Sequence, residues 1–194
     1  MELSPLAKER LARIGNLSPE ESKLLELNRK LESLLSQYFT GIITSEDLWK
    51  KVKEQEDITI PAQAQVKLLD SLRLQMSNDD LKQRRIAILA LETIKNEQKY
   101  VEIETHFNSI ESIRIKYTQS KEQGFEQLKS GMEPQLQAAM QQAGRQSVNV
   151  DISRSLEANV RNSQQWKSFI SELETNAEAM FSELIDRMKE LMVV

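Results

Sequence analysis

The chain has 194 residues, 39% apolar but only 5% aromatic, and its 29% charged residues leave a net charge of −4. Five glycines and four prolines provide little material for the tight turns of a sheet, and the wealth of Leu, Glu, Gln, Lys, Ala and Ser belongs to long helices, so an all-α fold is expected. The lack of any cysteine excludes disulfides, thiolate metal sites and cysteine catalysis; no segment is basic enough for a nucleic-acid footprint, and no 18-residue window is apolar enough to span a bilayer.

Charges interrupt MELSPLAKERLARIG where a secretory leader needs an unbroken apolar run, so a soluble, cytoplasmic protein is expected. Ser4 and Pro5 open a short helix that Gly15 can close. A stronger start follows: Ser18 at the cap, Pro19 in the first turn and Glu21 three places on form a capping box. From there Leu24, Leu27, Leu31, Leu34 and Tyr38 step by three and four along one helix face.

The stretch YFTGIITSEDLW, residues 38–49, is read as a joint between two helices. Gly41 suits the left-handed residue that ends the first, Thr44 caps the second with Asp47, and Ile43 reaches forward to Leu48 as a hydrophobic staple. Over residues 31–52 the sequence LLSQYFTGIITSEDLWKKV resembles the short helical hairpins of the SHOCT type, with Trp49 in the aromatic place after the acidic cap. That resemblance implies oligomerisation or tethering and no chemistry.

After Glu56-Asp57, Thr59-Ile60-Pro61 starts a helix whose stripe is Ala62, Val66, Leu69, Leu72 and Met76; Ser77 with Asp80 caps the next. The run IAILALETI, residues 86–94, is apolar nearly all round and needs more than one partner helix. Residues 1–104 are therefore predicted to form an N-terminal helical bundle containing an αα-hairpin over 18–56.

Beyond residue 104 the pattern narrows. Phe107, Ile110, Ile113, Tyr117, Phe125, Leu128, Met132 and Leu136 line one side, and Pro134, after Gly131, should kink or split that helix. A turn near 144–151 precedes a final long helix in which Trp166, Ile170, Leu173, Ala177, Met180, Leu184 and Leu191 occupy coiled-coil seats. Reversal near Ser147–Val150 would pair Trp166 with Met132, Leu173 with Phe125 and Leu191 with Phe107. Residues 105–194 are thus expected to form a long antiparallel coiled-coil hairpin arm; a parallel homodimer is the competing arrangement.

Chemistry is thinly represented. His106 is the one histidine, which excludes a di-iron bundle with paired Glu-x-x-His motifs, and no phosphate-binding glycine loop occurs. No cofactor, metal, catalytic residue or small-molecule substrate is expected, and the chain reads as a scaffold or adaptor. Protein contact is assigned to the arm tip, Met132, Leu136, Met140 and Val148, since methionine adapts to irregular partners, with the Gly41–Asp47 joint as a second candidate. Self-association is equally compatible with these stripes. An alternative uses Lys82, Arg84 and Arg85 to contact nucleic-acid phosphates, although no aromatic interleaves them for base stacking; membrane binding is not expected.

Overall fold

A computed structural model describes residues 18–55, 57–142 and 152–192. Among these residues there are seven helices and no strand: α1 (Pro19–Phe39), α2 (Ser45–Lys53), α3 (Ile60–Asp70), α4 (Asn78–Glu92), α5 (Tyr100–Gln142), α6 (Ile152–Asn162) and α7 (Gln164–Met192). The short helix expected before Gly15 and the turn expected over 144–151 lie outside the described residues.

The helix ends follow local chemistry. Ser18 Oγ accepts from the Glu21 N–H at 3.1 Å while the Ser18 N–H donates to Glu21 Oε2 at 2.8 Å, which satisfies two donors that a helix start leaves open. Thr44 and Asp47 repeat the box on α2, at 3.0 and 3.1 Å. Between the two helices Gly41 takes φ +73°, a conformation that costs a residue bearing Cβ. Ser77 accepts from the Asp80 N–H at the start of α4.

α3 is shorter than its apolar stripe. It ends at Asp70, where the Ser71 hydroxyl turns back onto the Leu68 carbonyl at 2.6 Å. Leu72 and Leu74 are buried in the connection that follows, held by Arg114 of α5, whose guanidinium donates to the carbonyls of Leu74 and Met76. Burial can thus continue past a helix end when the turn points inward.

α4 lies against α2, α3 and α5, which accounts for its apolar run: Ala87, Ile88 and Leu91 are all enclosed. One continuous core links Leu31 and Tyr38 of α1 to Leu48 and Val52, to Leu68, Leu69 and Ile88, and onward to Ile103, Phe107, Met188 and Met192. Each such side chain removed from water stabilises by about 1.5–3 kcal/mol before entropy is counted. The early part of the α1 seam is less enclosed than its spacing predicts, with Leu24 at 48% exposure. Leu35 is buried instead.

α5 is a single helix of 43 residues, about 65 Å long. Pro134 lies inside it, so the expected split does not occur. Pro134 and Gly131 are both exposed, with open space around the glycine, so the carbonyl that loses its partner to proline faces solvent.

α6 and α7 run back along α5. Trp166 packs edge-on against Phe125 with ring centroids 5.2 Å apart, the Phe169 ring fills the space over Gly124 that a Cβ would occupy, and the Tyr117 hydroxyl meets Glu174 at 3.0 Å. These contacts set an antiparallel direction. The register differs from the expected one by about seven residues, one heptad, toward the bundle: Trp166 meets Phe125 and not Met132. A heptad slip returns the same seats to the same face, so spacing alone cannot separate the two. What selects between them is the seating of Met188 and Met192 in the bundle core.

The helix expected to start near Asp151 or Ser153 is also interrupted. At Ser163 the hydroxyl donates to the Val160 carbonyl at 2.7 Å and accepts from the Trp166 N–H at 3.1 Å, closing α6 and capping α7 with one atom. The buried side of α7 then turns as it nears the bundle. Ala177, Phe181, Ile185, Met188 and Met192 are enclosed, whereas Met180, one of the expected seats, is 54% exposed.

Candidate functional site

The outer part of α5 carries two of the residues expected to contact a partner. Met132 and Leu136 project from α5 and are half-buried, while Leu156 and Val160 of the adjoining α6 are enclosed. The Met140 side chain and Val148 lie outside the described residues. Lys129 stands between Glu126 and Glu157 at 3.9 and 3.8 Å, contacts long enough to be weak where solvent screens them. Arg161 lies over the Phe125 ring at 4.8 Å, so an aromatic cluster of Phe125, Trp166 and Phe169 forms the inner boundary of this outer section. Leu156 and Val160 were legible as the same three-four spacing extended upstream of Ser163. Phe169 was not, because its partner is a glycine and leaves no apolar signal.

The basic cluster is drawn inward. Arg85 makes ion pairs with Glu104 and, at 2.9 Å, with Glu111, donates to Asn108, and lies near the Phe107 ring. Arg84 pairs with Asp80 at 3.3 Å, donates to Ser71 Oγ at 2.9 Å and covers the Phe39 ring. These two guanidiniums pin α4 to α5 and to the α3–α4 connection, and Lys82 is the exposed member of the trio. A phosphate would have to compete with carboxylates already in place.

The Gly41–Asp47 joint is fixed at both flanks. The Tyr38 hydroxyl donates to the Gln83 carbonyl at 2.8 Å, and the Trp49 indole donates to Thr93 Oγ at 3.0 Å, so both aromatics tie the hairpin to α4. Burial raises the Tyr38 pKa above the usual phenol range, ahead of the opposing hydrogen bond from Ser45. Ile42, at the crest, is 73% exposed.

At the other end of the bundle lies a buried polar node. Glu92 is fully enclosed, and its carboxylate accepts from Gln65 Nε2 at 2.8 Å and the Lys99 N–H at 2.7 Å and pairs with Lys95 at 3.2 Å. Lys95 and Lys99 also reach the carbonyls of Met192 and Leu191, at 3.5 and 3.1 Å. The last turn of α7 thus ends on two ammonium groups, the sign that its macrodipole favours. Nothing in the sequence pattern marked this node, because its members come from α3, α4, the α4–α5 connection and α7. His106 is half-buried beside Phe107. Among the described residues no cluster of three or more His, Asp or Glu could hold a metal ion, and no helix is long and apolar enough to cross a membrane.

Comparison with known proteins gives a single result: residues 46–193 match a family of unknown function (DUF6657). No curated protein and no solved structure matches the chain. The match spans α2 to α7 and most of the chain's length, and the chain belongs to that family.

Proposed function

We propose that this protein is a non-enzymatic scaffold or adaptor: a helical bundle from which an antiparallel coiled-coil arm projects, contacting a protein partner through the arm's outer end. The observation that carries this reading is the division of contacts along α5. Its inner part is enclosed by the bundle at Ile103, Phe107 and Ile110. From Gly124 outward its contacts run to α6 and α7 through Phe169, Trp166 and Glu157, so a two-helix arm holds Met132, Leu136 and, further along, Met140 at a distance from the core. Half-buried methionine and leucine on such an arm offer apolar area to a partner with little reorganisation.

The test is capture of a partner by the intact protein and by Met132→Glu/Met140→Glu. The reading expects the variant to lose the partner while its helicity by circular dichroism is unchanged. Equal capture by both proteins would refute the assignment of the arm's outer end.

A further inference from the structure

A groove of about 1020 Å³ runs between α4 and α5, and its whole lining falls inside the family match. α5 returns along α4: Arg85, midway along α4, reaches Glu104 and Glu111, and Arg114 reaches back to the Met76 carbonyl just before α4 begins. The groove therefore lies between two antiparallel helices, and its edge on α5, from Tyr100 to Lys121, is about 30 Å long. Ile86, Tyr100 and Ile115 line it and stay 48%, 46% and 56% exposed. Large apolar side chains gathered in one open groove mark a contact surface more than the same residues scattered singly would.

The charges of the lining say what kind of partner fits. Lys82, Arg85, Arg114 and Lys121 stand against Glu104 and Glu111, four cations to two carboxylates in a chain whose net charge is −4. Arg85 takes both carboxylates. The other three cations have no carboxylate at ion-pair distance among the described residues: Arg114 donates to backbone carbonyls, Lys121 lies over the Tyr117 ring at 5.6 Å, and Lys82 is exposed. Burial lowers the Arg114 pKa, and the charge of Glu111 offsets this only in part, so an incoming carboxylate would be favoured beside it. A nucleic-acid strand would lay its phosphates over Ile86 and Ile115, and a symmetric contact with a second copy would bring two linings of the same sign together.

We propose that this groove docks an acidic amphipathic helix of a protein partner, with apolar side chains at three-four spacing over Ile86 and Ile115 and carboxylates on its flanks toward Lys82, Arg114 and Lys121. The surface is separate from Met132 and Leu136 and does not depend on the arm reading.

The probe is a displayed library of helical peptides of about 20 residues, long enough to span the groove, with leucine fixed on one face and the flanking positions free to be Glu, Gln or Lys. Selection on the full chain should enrich Glu at the flanks. A selected peptide, followed by fluorescence anisotropy, should bind at least about tenfold more weakly to Lys82→Glu/Lys121→Glu and to Ile86→Ser/Ile115→Ser, with helicity by circular dichroism unchanged, and equally well to Met132→Glu/Met140→Glu. The proposal is overturned if selection shows no preference for Glu, if both groove variants bind as the native chain does, or if the arm variant loses the peptide equally. It is also overturned if a single-stranded oligonucleotide displaces the peptide, or if light scattering shows a dimer that Ile86→Ser/Ile115→Ser dissociates.

Discussion

Tyr117 joins three parts of the molecule through one hydroxyl. It donates to Glu174 of α7 at 3.0 Å and accepts from the Gln75 side chain of the α3–α4 connection at 3.2 Å. Burial first, and then the Glu174 acceptor and the neighbouring carboxylate charges, push its pKa up to about 12. An unfolded tyrosine ionises near ~10, so the folded state holds this proton more tightly. The resulting contribution to stability is complete below about pH 10 and is lost as pH rises through the folded pKa near about 12. Denaturant midpoints should therefore fall across that window, and fall less for Tyr117→Phe, with Tyr38, also raised by burial, accounting for part of the remainder. An unaltered alkaline profile in Tyr117→Phe would contradict this assignment. The sequence shows Tyr117 as an apolar seat because its spacing is local. Its hydroxyl partners, 42 and 57 residues away, have no trace in that spacing.

Whole elements show the same separation between local and distant causes. The Ser18–Glu21 and Thr44–Asp47 caps were legible because a cap is written within four residues. The end of α3 was not: Leu72 continues a helical stripe although the chain has already turned. Least legible was the seam between α4, the α4–α5 connection and α7, since Glu92 and Lys95 at i, i+3 resemble any solvated pair. In the fold their side chains are almost wholly enclosed, at 0% and 4% exposure. Removing one partner leaves a buried charge poorly compensated, so Lys95→Met should destabilise by about 3–5 kcal/mol. Glu92→Gln/Lys95→Met should recover part of that loss, because no unpaired charge is left buried, although the single amide oxygen can accept from the Lys99 N–H or from Gln65 but not from both. Urea unfolding of the two variants checks both statements, and a loss below about 1 kcal/mol in Lys95→Met would place the pair among ordinary surface bridges.

For the molecule as a whole, the all-α class could be read from composition, while the register of α7 against α5 could not. Trp166 opposite Met132 and Trp166 opposite Phe125 both satisfy a heptad pattern. The second arises because α7 runs on until Met188 and Met192 enter the core and Lys99 meets the Leu191 carbonyl. Four residues along each helix from the Phe125–Trp166 contact, Lys121→Cys with Ile170→Cys should cross-link readily, whereas Leu128→Cys with Ile170→Cys, the pair of the alternative register, should not. The reverse yield would restore the sequence-based pairing. The candidate contact surface was legible only as composition, because half-burial of Met132 and Leu136 depends on how far α6 reaches over them. Finally, the hydroxyl that divides α6 from α7 gives α5 and the helices packed along it unequal mechanics. A sideways load at the outer end meets an unbroken rod in α5 and a hinged strut opposite it. Flexure therefore gathers at Ser163, sparing the stretch from Trp166 inward and the seating of α7 in the bundle.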